Sequence, residues 1–223
     1  MNIQFFSILI ALIITYIMIR SMRPLAMRIN LTDHPDDRKL HSGSIPLIGG
    51  IAMFFGVQLT ILLLPNDLNE FKYFMLSSFI LVVIGVLDDS KDVAVLTRIF
   101  FQFLVAVIVV SLGGVFLTSL GSLLGGSEIL LNGWAYFVSI IAIMVGINAV
   151  NMADGLHGLA GGNSLVSFIS ITFLSINSSS QDSLVISLLF CAVLPVFLIH
   201  NLCIGISTSK RIFMGDAGSM FIG

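Results

Sequence analysis

Long apolar stretches without a single charge alternate with short polar segments along the whole chain. The charge-free stretches are residues 43–64, 73–87, 99–127, 129–153, 158–181 and 183–209. A run of about 18 or more residues with few charges is typical of a membrane-spanning helix, because hydrocarbon offers no hydrogen-bond partner to an open backbone. The pattern therefore predicts an all-α integral membrane protein.

We expect a polytopic helical bundle with about seven complete spans and the start of an eighth near Ala217. The predicted complete spans cover residues 3–21, 45–64, 70–87, 98–118, 133–150, 163–177 and 183–200. The first apolar stretch lacks the basic segment and the cleavage site of a signal peptide, so we interpret it as a retained helix. Neither an internal repeat nor a soluble domain is evident, which indicates one membrane-embedded domain over residues 1–223.

Composition supports the same fold class. Hydrophobic residues make up 57% of the chain and charged residues only 10%, whereas soluble domains carry about 25% charged residues. The net charge of −2 argues against a nucleic-acid partner. Cys191 and Cys203 have no metal-binding or redox spacing, so we interpret them as small apolar residues.

The basic residues predict the orientation of the bundle. If the N-terminus lies outside, nine of the ten Lys and Arg residues fall on one side, and only Lys72 falls on the other. The nine are Arg20, Arg23, Arg28, Arg38, Lys39, Lys91, Arg98, Lys210 and Arg211. An excess of basic residues in short loops marks the cytoplasmic side. We therefore expect an outside N-terminus and a cytoplasmic face that carries most of the charges.

Most acidic residues fall on the same predicted face. They are eight of the twelve in the chain, namely Asp33, Asp36, Asp37, Asp88, Asp89, Asp92, Asp154 and Asp216. A membrane anchor has no need to gather acids and bases on one side. Three helix starts on this face, within residues 45–50, 155–162 and 215–219, are also rich in glycine. We expect their backbones to approach a ligand closely, since helix N-termini favour phosphate.

Two adjacent carboxylates, Asp88 and Asp89, end the predicted third span at this face. Side by side at a helix C-terminus, they oppose each other and the helix dipole. A divalent cation such as Mg²⁺, bound together with a phosphate, removes this opposition. A solvated helix end, where Asp is common, is the alternative interpretation.

A polar stripe ends the predicted fifth span. Asn148, Asn151 and Asp154 are spaced three residues apart and therefore share roughly one helix face. Such a face contacts protein, water or a ligand, because polar groups in lipid are costly. A binding surface is one interpretation of the stripe, and hydrogen bonds between helices are the other.

Two further polar segments carry candidate residues on the same face. Asp216 lies at the start of the predicted eighth helix, where a helix cap is the alternative role. Arg38, Lys39 and His41 lie in a loop that mixes bases with acids. Attraction to anionic lipid is the alternative for these bases, but it explains the neighbouring acids less well.

Taken in order, four motifs resemble those of the polyprenyl-phosphate N-acetylhexosamine-1-phosphate transferases, the membrane family that includes WecA, TagO and MraY. The motifs are residues 34–41 leading to 45–50, Leu-Asp-Asp at 87–89, residues 148–162, and residues 212–219. Together they run through the whole chain. The Arg-Lys-x-His form of the first loop resembles the WecA and TagO branch more than MraY.

The resemblance implies an activity. Such enzymes transfer an N-acetylhexosamine-1-phosphate, here expected to be N-acetylglucosamine-1-phosphate, from a UDP-sugar to undecaprenyl phosphate and release UMP. They use Mg²⁺, with Mn²⁺ as an alternative. We therefore expect a multi-pass enzyme of the bacterial inner membrane that performs the first membrane step of a cell-envelope polysaccharide, such as O-antigen or teichoic acid. The expected partners are UDP-N-acetylhexosamine, undecaprenyl phosphate and the bilayer, with a homodimer as the candidate assembly.

The resemblance also implies roles for individual residues. Asp88, Asp89 and Asp154 are the expected catalytic residues, the first two near the lipid phosphate. Asp216 is expected to ligate the metal, helped by Asn151 or Asp154. The expected substrate-binding residues are Arg38, Lys39, His41, Asn148, His157 and Phe213.

Two features depart from the family pattern. Position 157 is His, where many relatives repeat Asp, so the role of this position is open. The chain ends at Gly223, inside the predicted eighth span, so we expect it to be the N-terminal part of a longer enzyme and inactive by itself.

Two competing functions were weighed. The first is a transporter that uses the acids as ion or proton sites, but such acids lie near the membrane midplane, whereas these lie at the span ends. The second is an inactive remnant that only packs in the membrane.

Overall fold

The computed structural model describes residues 2–33, 43–64, 68–122, 125–176 and 181–223. Within these ranges the chain is a bundle of α-helices with one minimal antiparallel sheet. The helices are α1 (Asn2–Ile29), α2 (Gly49–Leu63), α3 (Leu68–Lys91), α4 (Val95–Val107), α5 (Ala135–Ala153), α6 (Leu159–Ile176), α7 (Gln181–Asn201) and α8 (Gly215–Ile222). The strands are β1 (Thr32–Asp33) and β2 (Ile45–Pro46).

Six helical segments are long and apolar enough to cross a membrane, which confirms the expected polytopic fold. They are Gln4–Ile29, Phe71–Lys91, Val95–Leu112, Asn132–Ala153, Leu159–Ile176 and Gln181–Asn201. The second predicted span, residues 45–64, is shorter than expected because its first residues form β2, and the helix begins only at Gly49. At 15 residues, α2 is about 22 Å long at 1.5 Å per residue, against a hydrocarbon core of about 30 Å.

Helix α2 is the inner helix of the bundle. Most of its residues are buried, and it packs against α1, α3, α7 and α8. The aromatic rings of Phe54, Phe190 and Phe221 lie close together around its middle, with centroids 5.1 to 5.7 Å apart for the pairs that involve Phe221. An apolar helix surrounded by other helices needs no polar face, since it never meets water.

Two predicted boundaries were wrong. Helix α1 continues through Pro24 to Ile29 instead of ending at residue 21, so Arg23 and Arg28 lie on the helix. The fourth predicted span was extended to residue 118, but regular helix ends at Val107, and one π-helical turn carries it to Leu112. Gly114 follows at φ 67°, a left-handed conformation that ends helices and that glycine adopts without strain.

Three glycines let α8 lie against the backbones of α2 and α3. A Cβ atom on Gly50 of α2 would lie 2.1 Å from the amide nitrogen of Gly218, and one on Gly85 of α3 would lie 2.3 Å from the Cα of Ala217. Both distances are far below van der Waals contact, so only glycine fits at these positions. We call Gly50, Gly85 and Gly218 the glycine junction.

Backbone hydrogen bonds tie the segment before α2 to the segment before α8. The amide of Phe213 donates to the carbonyl of Pro46, and the amide of Gly49 donates to the carbonyl of Phe213, both at 2.9 Å. The amide of Gly50 also donates to the carbonyl of Met214 at 2.9 Å. The expectation that Gly49 and Gly50 bring the backbone close to a ligand is therefore wrong, because these amides are used by protein carbonyls.

Candidate active site

The described parts of the four motifs meet at one end of the bundle. This end holds the C-termini of α3 and α5 and the N-termini of α2, α6 and α8. Hydrogen bonds join α3 and α5 to the start of α8 directly. The predicted convergence of carboxylates from separate segments is therefore present in the structure.

Asp88 is buried, and each of its carboxylate oxygens accepts a hydrogen bond from a nearby residue. One carboxylate oxygen accepts from the backbone amide of Val93 at 2.8 Å, and the other accepts from Nη1 of Arg98 at 2.6 Å. The side chain of Asp88 is only 6% exposed, so its charge depends on this ion pair. Removing one partner of a buried pair is strongly destabilising because it leaves an uncompensated charge.

Asp89 caps the start of α8 from the neighbouring helix. Its carboxylate oxygens accept from the backbone amides of Asp216 at 2.8 Å and Ala217 at 3.2 Å. These are amides of the first helical turn, which have no partner within α8 itself. Gly215, at φ 72°, passes so close that a Cβ atom there would lie 2.5 Å from Oδ2 of Asp89. Asp89 thus holds the backbone that carries Asp216.

Asp216 lies between α5 and α4. Its Oδ1 accepts from Nδ2 of Asn151 at 2.6 Å, and the same amide group donates to the hydroxyl of Ser219 at 2.8 Å. Its Oδ2 lies 4.0 Å from Nη1 of Arg98, which also pairs with Asp88. Arg98 therefore links two carboxylates. Asn151, predicted as a metal ligand, presents its donor end to Asp216 and orients this carboxylate.

Among the described residues, Asp154 differs from the other three carboxylates because it has no hydrogen-bond donor. It follows the last residue of α5, outside the spanning segment, and is half-buried. Within the described part of the chain, no side chain or backbone amide donates a hydrogen bond to its carboxylate. Burial, and then the charge of Asp216, raise the pKa of Asp154 from 3.8 to about 7.

Two of the predicted substrate-binding residues lie in different surroundings. Asn148 donates to Oε1 of Gln102 and to the carbonyl of Met144, both at 2.7 Å, and so joins α5 to α4. His157 lies instead beside Phe213, with ring centroids 5.1 Å apart and a tilt of 37°. Within the polar stripe, Asn148 therefore joins two helices, whereas the residues from Asn151 onward face the candidate site.

The basic loop of the first motif lies outside the described residues. Arg38, Lys39 and His41 lie outside the described residues, so their predicted contact with phosphate stays a prediction.

Sequence reasoning missed three residues that bond to the predicted site residues. Arg98 was used only to predict the orientation of the bundle, although it lies near the start of the helix that follows Asp88 and Asp89. Gln102 is the polar residue within an apolar run and is 2% exposed, a pattern that marks an inward face in a membrane helix. Ser219, which receives a hydrogen bond from Asn151, stands one helical turn after Asp216.

The carboxylate oxygens at this site suit Mg²⁺ in the open mode, in which substrate phosphates and waters complete the coordination. Asp154 and Asp216 supply carboxylate oxygens whose charges oppose each other. Among the described residues, no group of three or more His, Cys, Asp or Glu side chains is placed to enclose a metal ion. Mg²⁺ in phosphoryl-transfer sites is typically bound by one or two carboxylates together with substrate phosphates and waters. The residues fit that open mode and not a closed protein cage.

The chain is similar to known proteins of one family. The model of the family described as Glycosyl transferase family 4 matches residues 71–223. Proteins named undecaprenyl-phosphate alpha-N-acetylglucosaminyl 1-phosphate transferase are similar to this chain. The one from Yersinia pestis is 37% identical over 201 residues, covering 90% of the chain and 55% of the relative. The one from Haemophilus influenzae is 38% identical over 219 residues, covering 97% and 61%. The chain spans somewhat more than half the length of these relatives.

Proposed function

Because the chain belongs to glycosyl transferase family 4, we propose that it transfers N-acetylglucosamine-1-phosphate from UDP-N-acetylglucosamine to undecaprenyl phosphate. The observation that carries the proposal is the group formed by Asp88, Arg98, Asp154 and Asp216, drawn from three motif segments at one bundle end. The relatives' names supply the donor sugar and the lipid. A membrane bundle with this polar end suits a reaction between a lipid phosphate and a water-soluble nucleotide sugar.

The reaction is an exchange at phosphorus. An oxygen of undecaprenyl phosphate attacks the phosphorus that carries the sugar, and the bond from that phosphorus to the bridging oxygen of the diphosphate breaks. The electron pair of the broken bond leaves with UMP, and the lipid diphosphate sugar remains in the membrane. A phosphate monoester has its second pKa near 6 and is mostly a dianion at pH 7, so the nucleophile needs no strong base.

The side chains then serve mainly to position charge. Asp154 and Asp216 would hold Mg²⁺, which supplies neutralisation of the diphosphate when bound. Arg98 already stands between two carboxylates at 2.6 and 4.0 Å, where its remaining N–H groups suit phosphate oxygens. Asn151 and Asp89 fix Asp216 from the side chain and from the backbone, respectively. Prior alignment of this kind is the main contribution that proteins make to phosphoryl transfer.

The location of the reaction is part of the proposal. The sequence predicts nine of the ten Lys and Arg residues on the side of the carboxylates, and by the positive-inside rule that side is cytoplasmic. We place the protein in the bacterial inner membrane, with this site open to the cytoplasm and to UDP-sugars. Its product would begin a cell-envelope polysaccharide.

Because the chain spans somewhat more than half the length of its relatives, the direct test is transfer in membranes that contain a full-length relative, with each substitution made at the residue that matches the one numbered here. Radiolabelled UDP-N-acetylglucosamine, undecaprenyl phosphate and Mg²⁺ should give an organic-soluble labelled lipid and an equal amount of UMP. Asp216→Asn should lower the rate at least about 100-fold, as expected for loss of a group that stabilises transition-state charge. Asp182→Asn, at an exposed acid on the opposite end of the bundle, is the matched control and should leave the rate unchanged.

The result that contradicts the proposal is equally concrete. Turnover by Asp216→Asn near the unmodified rate would remove this carboxylate from the reaction. Ion or proton flux in protein-containing liposomes, without UMP release, would favour the transporter. Thermal melting of each variant confirms that the protein is folded and inserted.

A further inference from the structure

A second polar cavity lies near the carboxylate end of the bundle but is lined by other residues. Its volume is about 330 Å³, room for several waters at about 30 Å³ each or for one phosphate-sized anion. Its polar lining comes from Arg23 at the end of α1, Ser44 before β2, and Thr208, Ser209 and Arg211 between α7 and α8. None of these residues has a part in the transfer mechanism above.

Arg23 joins two distant parts of the chain at this cavity. Its guanidinium donates to the carbonyl oxygens of Ser209 and Arg211, and so holds the segment before α8 against α1. Carbonyl oxygens satisfy N–H donors without neutralising the positive charge. The guanidinium of Arg211 donates from Nε to the sulfur of Cys203 at 3.4 Å, a weak acceptor. Two cations therefore flank one cavity.

The charge of this pair is not balanced by acids in the described residues. Neither Arg23 nor Arg211 makes an ion pair with a described carboxylate, and the described lining of the cavity holds no acidic side chain. Gly43, at φ 83°, forms part of the rim and leaves open space where a side chain would stand.

We propose that this cavity binds a phosphate group that is separate from the substrates of the carboxylate site. The planar fork of arginine matches phosphate oxygens, and two such groups with neighbouring hydroxyls form the usual recognition chemistry for this anion. The phosphate belongs either to an anionic phospholipid headgroup or to a soluble phosphate compound. The position of Arg23 near the end of a spanning helix, beside the exposed Leu25 and Met27, allows the lipid source as well as the soluble one.

Lipid retention tests the first source. The protein is placed in nanodiscs of equal parts phosphatidylglycerol and phosphatidylcholine, and native mass spectrometry counts the lipids that stay bound after release. We expect phosphatidylglycerol to be retained preferentially, and Arg211→Gln to lower that preference about tenfold. Arg211→Lys should restore part of it. Because the side chain of Arg211 contributes only a weak N–H···S contact, these variants should fold normally.

The soluble source is tested in phosphatidylcholine nanodiscs by calorimetric titration with inorganic phosphate and pyrophosphate. Saturable binding that Arg211→Gln abolishes would assign the cavity to a soluble anion. Arg20→Gln is the matched control in both arms, because Arg20 is an exposed arginine one turn earlier on α1 that bonds to Tyr16 and does not line the cavity.

Two outcomes overturn the inference. One is the absence of both lipid preference and saturable anion binding in the unmodified protein. The other is an equal loss in Arg20→Gln and Arg211→Gln, which would indicate general surface charge. Neither outcome bears on the transfer reaction, since Asp216→Asn should retain anion binding at this cavity whatever its activity.

Discussion

The glycine junction and the end of α5 contain the same residue types and use them differently. At the junction, a Cβ atom on Gly50 would meet the backbone of α8, and Asp89 is occupied by two backbone amides. Between the end of α5 and the first turn of α6, Gly155 and Gly162 have open space where a side chain would stand. Asp154 there receives no hydrogen bond from the described residues. Residues at the junction determine shape, and those at the end of α5 are available for chemistry.

The largest expected effect comes from adding one methyl group at the junction. Gly50→Ala would place its Cβ 2.1 Å from the backbone nitrogen of Gly218. No side-chain rotation relieves a clash with backbone, so we expect destabilisation of about 3 kcal/mol or more, at or beyond the upper end of usual overpacking costs. The measurement is thermal unfolding of the detergent-purified protein.

Gly162→Ala is the matched control for this prediction. Gly162 lies in α6, where an added Cβ meets nothing within 4 Å. Alanine in a helix is favoured over glycine by about 0.5–1 kcal/mol, so this variant should be as stable as the parent or slightly more so. Equal melting temperatures of the two alanine variants would contradict the distinction between the two regions.

An intermediate effect is expected from Asp89→Asn. Asparagine keeps one acceptor oxygen but loses the charge and the second acceptor that serve the amides of Asp216 and Ala217. Lost helix caps cost about 1–2 kcal/mol, which corresponds to a fall in Tm of roughly 2–8 °C for a chain of this size. Transfer should fall in parallel, because Asp216 loses its backbone support.

This variant also separates two roles for Asp89. A loss of transfer with an unchanged Tm would show that Asp89 acts on the substrate directly, as the family resemblance implies. A loss of both would support its role in positioning α8.

The smallest effect concerns the pH dependence at Asp154. The pKa of about 7 in the folded protein exceeds the unfolded value of 3.8, so the folded state retains a proton that the unfolded chain has already lost. The stability due to this proton is complete below about pH 4 and disappears as the pH rises through about 7. Asp154→Asn stays neutral and should avoid this loss.

At pH 8 without divalent cations, we therefore expect Asp154→Asn to be more stable than the parent by about 1 kcal/mol, a small difference because partial exposure screens the charge. This corresponds to a melting temperature about 2–4 °C higher. The difference should shrink at pH 5. Melting curves of both proteins across this range, in buffer with a chelator, provide the check. A constant offset at both pH values would argue against titration of Asp154.

The sequence predicted the helices well because each lipid-facing helix must be apolar on its own. Long charge-free runs identified α3, α5 and α7, and their ends differed from the predicted ones by a few residues. The continuation of α1 through Pro24 and the break before Gly114 were missed because packing and backbone conformation, not hydrophobicity, determine them. The shortness of α2 was hidden for a related reason, since the apolar run also covers residues that pair with another segment.

The sequence predicted which residues lie together at the candidate site but not which contacts each of them makes. Motif position placed Asp88, Asp89, Asn151 and Asp216 on one face, and their contacts bear out this proximity. Which carboxylate caps α8 and which one accepts from Asn151 depends on contacts between residues more than 60 positions apart. No pattern within one segment specifies such contacts. The predicted roles of these residues in catalysis and metal binding stay predictions.

The pairing of residues 46–50 with residues 213–214 has a consequence for biosynthesis. A chain emerging from the ribosome presents α2 and α3 long before α8 exists, so the amides of Gly49 and Gly50 have no native carbonyl to bond. Loop closure over about 165 residues is slow compared with local helix formation. During that interval these amides must bond to water or to other protein groups. The candidate site would thus be among the last parts of this bundle to assemble during synthesis.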